Sequence, residues 1–487
     1  MADGEQSTVE QALDAARAEF GVRAGFPPEV TAAAAEAARR PVAPSDARAD
    51  RRDLLLVTID PPGSRDLDQA VCIQQTEDDG FRLYYAIADV GFWVDRGGAI
   101  EQEAWKRGVT FYTPDRKEPL YPPEISQNAG SLLPDQDRPC ILFDFTLDER
   151  AEVTAFQVGP AVVRSRAQLT YGEVTEHVCG DGSLFRGKEW EETLREMRRF
   201  GELRRAQEAA RGGVSLPLVS QHVARMAAER LGYEVQFEQP VASEEWNEQV
   251  SLLIGHYAAL RMVEGGIGML RVMGGPEPKA VDKFRRIALA MGFAWPEGME
   301  YAAFIRSLDR THPRLTPLVW QARPVMRGAD YVAFDGEPPA DPLHHALAMQ
   351  YAHATAPLRR LGDRYVLDLL VTLAAGARPT PEESKTLAAL PAVMNEAETR
   401  ESKLERRAVD VAEAWMLRER VGEVFPATCL DVRGHGIEVQ IDDPPVRAVA
   451  QMTEGAAAPE PGAAVRVRLS SVNVLAGRAE FTLEAAG

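Results

Sequence analysis

Three aspartates lie within nine residues in the segment TIDPPGSRDLDQ, Thr58–Gln69. In an extended chain, residues two apart share a face, so Asp66 and Asp68 are expected to point the same way. A turn at Pro61–Ser64 would bring Asp60 beside them. Carboxylates packed together raise one another's pKa unless a cation lies between them, and oxygen ligands without His or Cys suit Mg²⁺ or Mn²⁺. The spacing therefore predicts a metal site for phosphoryl chemistry.

A structural alternative remains for this acidic segment. In that alternative the aspartates cap backbone amides of a loop, as Asp side chains commonly do in turns. An EF-hand is excluded, because its ligand spacing and its distal glutamate are missing.

A second segment, YAHATAPLRRLGD at Tyr351–Asp363, places two arginines where a helix is expected to begin. Pro357 suits the first helical turn, so Arg359 and Arg360 would lie in that turn. Cations oppose the helix dipole there unless an anion is held nearby. The pattern predicts a phosphate as the missing partner.

The elements that must position these segments change along the chain. Alanine-rich helices are expected at about 7–20 and 29–40, in a small unit at residues 1–50 that is compatible with a helix-turn-helix. Strands are expected from Arg52 to Arg166, in the segments LLLVTID, FRLYYAIADV, ILFDFTLD and VTAFQVGPAVVRSR. From Tyr171 onward helices dominate, apart from a strand near Tyr233–Phe237.

The C-terminal part contains a clear helix start followed by a small barrel. Thr380–Glu383 supplies an N-cap threonine, a proline at the first helical position and a glutamate that reaches back, and a long charged helix to about Arg420 follows. Residues 421–487 alternate apolar and polar side chains in about five short strands, which predicts an OB-fold barrel. Phe425 and His435 are candidates for stacking on bases.

Charge bears on the class of partner. The 487 residues carry a formal net charge of −19, which argues against non-specific nucleic-acid binding. Arginine pairs soften this objection, because a channel that they line is positive inside an acidic shell; the alternative for each pair is a solvated helix face. The pairs are Arg198–Arg199, Arg204–Arg205, Arg285–Arg286, Arg359–Arg360 and Arg406–Arg407.

Hydropathy and cysteine spacing bear on the compartment. No apolar run approaches the roughly 20 residues that span a bilayer, and the start MADGEQST is unlike a secretory signal. A cytoplasmic location without a membrane partner is therefore expected. The four cysteines show no metal-binding or disulfide spacing, so we expect them to be reduced and mostly packed.

The two segments also carry a resemblance. TIDPPGSRDLDQAV resembles the metal-binding signature of the ribonuclease II family, and YAHATAPLRRLGD resembles a second characteristic segment of that family. Between them AIADVGFWV, PPEIS…SLLP, SRAQLTY and NEQVSLLIG resemble further family segments in the same order, over about residues 26–375. The resemblance implies a processive 3′→5′ exoribonuclease that hydrolyses single-stranded RNA with Mg²⁺ and releases nucleoside 5′-monophosphates.

The resemblance also implies roles in the chemistry. Asp60, Asp66 and Asp68 would hold the metal ions against the scissile phosphate, with Asp68 counted among the catalytic residues. Arg359 would bind that phosphate and offset the charge of the transition state, and Arg360 would assist in binding the substrate.

One position departs from the family pattern at this site. Gln69 lies where the family has a fourth aspartate. An amide oxygen can still ligate a metal but brings no charge, so we expect activity with a greater demand for Mg²⁺ or Mn²⁺.

By resemblance, two further residues form a clamp on the RNA. Tyr112 lies where the family stacks a tyrosine on the 3′-terminal base, and its alternative is an ordinary half-buried strand tyrosine. Leu216 takes the place of the partner phenylalanine; it packs on a base but cannot stack.

Tyr171 and Glu248 fall where the family reads the ribose 2′-hydroxyl, the group that separates RNA from DNA. The alternative for Glu248 is an exposed acid on a helix. The neighbouring Gln249 and Gly255 depart from the Glu and Asn usual in the family.

The sequence therefore predicts an α+β protein with a ribonuclease II-type catalytic domain at 51–420, a helical N-terminal unit at 1–50 and a five-stranded RNA-binding OB-fold at 421–487. The expected function is that of a monomeric Mg²⁺-dependent 3′→5′ exoribonuclease, with Mn²⁺ as the alternative metal, acting on single-stranded RNA with a free 3′ end. A non-catalytic RNA-binding regulator on a nuclease scaffold is the alternative, favoured by Gln69 and Leu216. A phosphatase for small nucleotides is a third hypothesis, which leaves the barrel without a role.

Overall fold

The structure, a computed structural model, describes residues 2–216, 220–225, 233–238, 240–310, 312, 314–326, 328–434, 436–441, 443–452 and 457–484. The α-helices are α1 (Ala2–Glu19), α2 (Pro28–Ala37), α3 (Val90–Trp93), α4 (Ala99–Arg107), α5 (Tyr171–Cys179), α6 (Glu191–Ala210), α7 (Ala242–Gly265), α8 (Pro278–Ala290), α9 (Tyr301–Arg306), α10 (Leu315–Ala322), α11 (Leu361–Ala374) and α12 (Pro381–Leu417). The strands are β1 (Ala49–Asp50), β2 (Val57–Asp60), β3 (Gln69–Gln75), β4 (Phe81–Ala88), β5 (Phe111–Tyr112), β6 (Lys117–Glu118), β7 (Asp137–Leu147), β8 (Val153–Arg164), β9 (Ala167–Thr170), β10 (Ser220–Arg225), β11 (Tyr233–Glu238), β12 (Ile267–Met273), β13 (Ala329–Asp335), β14 (Leu343–His344), β15 (Met349–Gln350), β16 (Val424–Arg433), β17 (Gly436–Ile441), β18 (Val446–Gln451), β19 (Ala464–Asn473) and β20 (Arg478–Leu483).

A seven-stranded sheet has the strand order β1-β8-β7-β4-β3-β2-β9. Its inner strands pair antiparallel, and the short strands β1 and β9 add in parallel at the two edges. β4 is rich in aromatic and aliphatic residues and is buried over its whole second half, as a central strand must be. Helix α6 packs on β3 and helix α11 packs on β8, which covers the apolar side chains of the sheet.

A smaller sheet, in the order β13-β12-β14-β15, lies beside α7 and α12. Strand β15 leads directly into residues 351–360, the loop that precedes α11. Helices α8, α9 and α10 enclose an apolar cluster of their own, in which the rings of Trp295 and Phe304 stack with centroids 3.8 Å apart.

The C-terminal barrel is confirmed as a closed five-stranded barrel in the order β16-β17-β18-β20-β19. The parallel pairing of β18 with β20 inside an otherwise antiparallel barrel is the OB-fold arrangement. Phe425 is only 1% exposed and packs edge-on against Phe481 in the barrel core. The prediction that Phe425 stacks on bases is therefore wrong, because strand alternation turns it inward; His435 lies outside the described residues.

Several other elements follow the sequence and some do not. Helices α1, α2 and α12 are present as predicted, and Thr380 forms the expected capping box with Glu383. Strand β3 is a strand that the sequence reading leaves out. Helix α11 begins at Leu361 and not near Pro357, because residues 356–360 form a turn in which the amides of Arg359 and Arg360 both donate to the Ala356 carbonyl.

The structure bears on two expectations from the sequence, which concern the state of the cysteines and the presence of membrane-spanning helices. All four cysteines are free, and Cys72, Cys140 and Cys429 are buried, so the expectation of unpaired and mostly packed thiols is confirmed. In the described part of the chain, no helix has both the length and the apolar composition needed to cross a bilayer. The division into three domains stays a prediction.

The N-terminal helices brace a short hairpin, β5–β6, in which Tyr112 lies opposite Lys117. Arg17, at the end of α1, is 3% exposed and donates to both carboxylate oxygens of Asp115 at 2.9 Å each. It also donates to the Thr113 hydroxyl at 2.7 Å. Asp115 and Thr113 form the turn of the hairpin, so a two-pronged, charge-assisted bond holds the turn in place.

We expect Arg17→Met to loosen this hairpin selectively, because Asp115 would then be a largely enclosed carboxylate without its main partner. Losing one member of such a pair should lower the free energy of local opening by about 2 kcal/mol. Amide hydrogen exchange at residues 111–118 should therefore be roughly thirtyfold faster. Arg23→Met, which removes an exposed arginine of the same unit, is the control. Equal exchange in the two variants would contradict the bracing role.

Candidate active site

The three aspartates come from the connection between β2 and β3. β2 ends at Asp60, and the turn Pro61–Ser64 is closed by the Ser64 amide donating to the Pro61 carbonyl at 3.2 Å. Gly63 has a φ of +81°, a conformation that favours glycine. β2 and β3 then run antiparallel with Val57 opposite Val71. The chain folds back as the sequence predicts.

Leu67 determines where the flanking carboxylates point. Its side chain is fully buried, and its amide donates to the Ser131 hydroxyl at 3.0 Å. Because side chains alternate along an extended segment, Asp66 and Asp68 lie on the side away from Leu67, and both line one cavity.

Asp68 is a buried carboxylate, with 5% of its surface exposed. One oxygen accepts the Leu358 amide at 2.7 Å, and the other lies 3.6 Å from Nε of Arg359. Burial raises the pKa of Asp68 to about 8, against the opposing effects of Arg359 and of the Leu358 amide. The carboxylate form therefore needs more positive charge than the protein supplies.

Asp60 has one carboxylate oxygen, Oδ2, that is buried and lacks a hydrogen-bond partner among the described residues. Burial raises the pKa of Asp60 to about 7; Arg359 lowers it and Asp66 raises it further. An unpartnered buried oxygen is costly unless a cation or water reaches it.

Asp66 is paired within the protein. Its Oδ1 lies 2.6 Å from Nζ of Lys117, which also lines the cavity. Lys117 is a site residue that the sequence analysis misses. The signal was available, because the turn TPDR between two short strands sets Lys117 across from Tyr112.

The pairing with Lys117 sets Asp66 apart from the other two carboxylates, and the expectation that Asp60, Asp66 and Asp68 hold the metal ions stays a prediction. Within the described ranges, no three His, Cys, Asp or Glu side chains are close enough to hold one ion together. Asp60 and Asp68 still fit a hard divalent cation, because both have raised pKa values and Asp60 has an unpartnered oxygen. Two carboxylates completed by phosphate oxygens and water are a usual Mg²⁺ environment.

Both ends of the Gln69 side-chain amide have hydrogen-bond partners inside the protein. Its amide nitrogen donates to the Thr355 carbonyl at 2.6 Å, and its amide oxygen accepts from the Tyr85 hydroxyl. The Tyr85 hydroxyl is also 3.0 Å from the Ser251 hydroxyl. Gln69 therefore ties the start of β3 to the loop at 351–360.

The two arginines of that loop have different surroundings. Arg359 keeps a side chain that is 48% exposed in the cavity. The guanidinium of Arg360 donates to both oxygens of the buried Asp363, at 2.8 to 3.1 Å. The anion that the sequence predicts beside Arg360 is thus an aspartate of the same helix, and its role in binding substrate stays a prediction.

A single cavity of about 1250 Å³ is lined by all nine residues predicted for the site. These residues are Asp60, Asp66, Asp68, Tyr112, Tyr171, Leu216, Glu248, Arg359 and Arg360. Tyr112 is 44% exposed and lines the cavity, and its role as a stacking residue stays a prediction. Leu216 packs against the apolar cluster of α8–α10.

One wall of the cavity is polar. Tyr171 begins α5, and its hydroxyl accepts from the side-chain amide of Asn247 at 3.2 Å; burial raises the pKa of Tyr171 to about 12. Glu248 faces the open cavity. Enclosure by the surrounding protein raises the pKa of Glu248 to about 7, with smaller contributions from Glu208 and Glu245.

The two departures from the family pattern near this wall have structural partners. Gln249 is buried and donates to Glu208 at 2.7 Å. A Cβ on Gly255 would lie 2.2 Å from the ring of Tyr351, so glycine permits the close approach of α7 to the loop at 351–360.

The sheet, the cavity with its acids and arginine, and the barrel together define an architecture of ribonuclease II type. The RNB domain model matches residues 48–376, and the model of the RNase II-type exonuclease C-terminal S1 domain matches residues 423–484. The chain belongs to the RNB domain family.

Relatives with curated names agree with this membership. Ribonuclease R of Escherichia coli (strain K12) is 27% identical over 418 residues, which cover 81% of this chain and 50% of that protein. Ribonuclease R of Aquifex aeolicus (strain VF5) is 28% identical over 416 residues, 81% of this chain and 56% of that protein. The chain spans about half the length of these relatives.

Solved structures share the fold. The apo form of Mycoplasma genitalium RNase R has a TM-score of 0.86 at 20% identity, covering 97% of this chain and 77% of that chain. The same protein in complex with ribose-methylated single-stranded RNA gives 0.85, with 20% identity and the same coverage. Yeast Ssd1, a pseudonuclease, gives 0.69 at 16% identity, covering 85% of this chain and 52% of that chain.

We expect the metal-free protein to lose stability as the pH rises from about 4 to about 8, since the pKa of Asp68 has its ordinary value of 3.8 when the chain is unfolded but is about 8 in the folded protein. This carboxyl should remove up to roughly 1.4 kcal/mol of unfolding free energy per pH unit in that window. Asp68→Asn keeps the shape and removes the contribution of Asp68 to this slope, so it should melt above the native protein at pH 8 and close to it at pH 4.

Thermal unfolding in EDTA at several pH values measures this difference. Asp53→Asn removes an exposed carboxylate near β2 and should show no such gain. A pH-independent offset between the native protein and Asp68→Asn would contradict the buried carboxyl.

Proposed function

We propose that this protein is a divalent-metal-dependent exoribonuclease, which shortens single-stranded RNA from its 3′ end and releases nucleoside 5′-monophosphates. The observation that carries the proposal is the meeting of Asp60, Asp68 and Arg359 in one cavity, whose walls also bear Tyr112 and Glu248. Membership of the RNB family and the relatives named Ribonuclease R support it. Mg²⁺ is the proposed metal, with Mn²⁺ as the alternative.

Arg359 is placed to bind the scissile phosphate. Its exposed guanidinium lies 3.6 Å from Asp68, so a phosphate that it holds lies next to the buried carboxylates. A planar guanidinium matches two phosphate oxygens at once, and a fixed cation stabilises the charge that grows on the phosphate during reaction. Asp68 also positions this arginine, because it accepts the amide of the preceding residue, Leu358.

Asp60 and Asp68 are the residues that would hold the cation. When bound, a divalent cation neutralises the phosphate and makes water a better nucleophile. The two carboxylates must be ionised to bind it, and their pKa values of about 7 and 8 mean that protons compete with the cation near neutral pH.

The other walls position the RNA. Tyr112 offers an exposed ring to a base, and Leu216 offers an apolar surface. Tyr171 and Glu248 supply the polar groups that a ribose hydroxyl requires, and a 2′-hydroxyl both donates and accepts hydrogen bonds. The 3′→5′ direction and the monophosphate products rest on the family resemblance. We also propose that the protein is a monomer and that it lies in the cytoplasm; the free thiols support the location.

A non-catalytic RNA-binding regulator is the second candidate. Two observations favour it: Gln69 is engaged inside the protein, and Asp66 is paired with Lys117. The fold is also shared with a yeast pseudonuclease. The two functions differ in one measurable property, which is cleavage of RNA.

We expect the native protein to shorten a 5′-labelled oligoribonucleotide progressively when Mg²⁺ is present. Asp68→Asn should reduce the rate by at least about a thousandfold, because it removes a cation ligand, and Arg359→Met should do so by about a hundredfold. Product lengths on a denaturing gel give the rates. Asp53→Asn and Arg378→Met remove exposed charges and serve as controls. Retardation of RNA without shortening would favour the regulator.

Glu248 leads to a pH-dependent prediction about the sugar. Its carboxyl ionises near pH 7, and the carboxylate is the stronger acceptor for a 2′-hydroxyl. The preference for ribose over 2′-deoxyribose should therefore increase as the pH rises through 7 and fall about tenfold in Glu248→Gln, which should show no such pH dependence. The measurement is kcat/KM on oligomers with a single 2′-deoxy substitution at each of the last three nucleotides. A preference with the same pH profile in both proteins would exclude this role.

A further inference from the structure

A lysine lies inside the acidic cluster. Nζ of Lys117 is 2.6 Å from Oδ1 of Asp66, and the two side chains are 29% and 14% exposed. Lys117 is held by the hairpin pairing with Tyr112, and Arg17 fixes the turn of the same hairpin. The ammonium group is thus a positioned charge within the site, and both partners line the cavity.

The charges in the cavity are partly balanced without any bound ion. Asp60, Asp66 and Asp68 face two side-chain cations, Lys117 and Arg359, which leaves one net negative charge. Gln69 adds no charge, and both the nitrogen and the oxygen of its side-chain amide already have hydrogen-bond partners.

The oxygens that remain for an ion are few. Asp66 has given Oδ1 to Lys117, and its Oδ2 lies on a carboxylate whose charge that ammonium already balances; Asp68 has given one oxygen to the Leu358 amide. The unpartnered buried oxygen belongs to Asp60, and the second oxygen of Asp68 has only the 3.6 Å contact with Arg359. Both oxygens belong to residues that line the same cavity, and two carboxylates completed by water and phosphate oxygens are a usual environment for one divalent cation.

We propose that Lys117 is a built-in cation that occupies Asp66 and limits the site to one divalent ion, held by Asp60 and Asp68. This inference rests on the metal site of the proposed function. A lysine ammonium is a compact point charge that repels a nearby divalent ion and satisfies the carboxylate that such an ion would otherwise use. Lys117 acts on the metal through Asp66, so it is a positioning residue.

Counting bound Mn²⁺ by electron paramagnetic resonance, with the full-length protein and no RNA, tests the proposal. The native protein should bind one Mn²⁺ per chain. Lys117→Met should either add a second Mn²⁺ or bind the first at least about tenfold more tightly, because Asp66 becomes an unpaired carboxylate beside the site. Lys117→Arg keeps the positive charge, so this variant should bind one Mn²⁺ per chain, as the native protein does.

Two matched variants separate this role from a general loss of charge or of folding. Lys106→Met removes an exposed lysine outside the cavity and should leave the count at one. Asp66→Asn in the native background should also leave one Mn²⁺ bound, since Asp66 is not a ligand in this arrangement, but more weakly, because the Lys117 ammonium then lacks its partner. Asp66→Asn keeps the proposal testable if Lys117→Met fails to fold.

Each outcome decides for or against the built-in cation. Two Mn²⁺ on the native protein, or loss of the bound Mn²⁺ in Asp66→Asn, would overturn it. An unchanged Mn²⁺ titration in folded Lys117→Met would also overturn it. If the same variant bound RNA more weakly, Lys117 would be a phosphate ligand. Because the measurement is metal binding, a protein that binds one Mn²⁺ as proposed but cleaves no RNA would refute the proposed function and leave this inference intact.

Discussion

The burial of the Asp68 carboxylate is the constraint on which the site depends. This charge has almost no contact with water, and its direct hydrogen bond comes from the Leu358 amide, 290 residues further along the chain. The same loop supplies Arg359 and the Thr355 carbonyl that receives Gln69. The acidic segment and the arginine segment therefore form one structural unit, and neither has its functional geometry until the sheet and the loop have come together.

Charge in this protein is organised locally, so the net charge of the whole chain does not by itself describe what a phosphate meets in the cavity. The net charge of −19 is spread over the whole chain, whereas Arg359 and Lys117 lie at the acids in the cavity. Arg205 and Arg310 also line the cavity and share Glu245. At physiological ionic strength, charges more than about 8 Å away are largely screened when exposed, so the groups in the cavity dominate what a phosphate experiences there.

The sequence predicts those features of the fold that depend on neighbouring residues. The cap at Thr380, the alternation around Leu67 and the strands of the barrel are local patterns, and the structure contains them. Some arginines of the predicted pairs also follow local rules: Arg198 and Arg406 pair with acids four residues away on their own helices, as solvated helix faces do. Arg204 and Arg407 instead donate to the carbonyls of Ala151 and Ala476, which lie far along the chain.

Features that depend on distant partners are not predictable in this way. The internal bonds of Gln69 need Tyr85 and Thr355, which come from another strand and from a loop. Helix α11 begins only at Leu361 because a turn closes on the Ala356 carbonyl just before it, and the helix propensities of the residues do not reveal this turn. The inward orientation of Phe425 depends on barrel closure. All nine predicted residues nevertheless line one cavity, because the motif segments converge even where individual side chains have other partners.

The hairpin β5–β6 shows how a segment without chemistry of its own contributes to the site. Tyr112 and Lys117 are opposite each other in a pairing only two residues long, which is too short to be stable alone. Its turn is held by Arg17 of α1, and α1 in turn packs on α12. The position of one ring that lines the cavity and of one cation therefore depends on the N-terminal helix. A strand pair this short keeps its register only while that helix remains docked, so the integrity of the N-terminal unit and the electrostatics of the cavity are physically coupled.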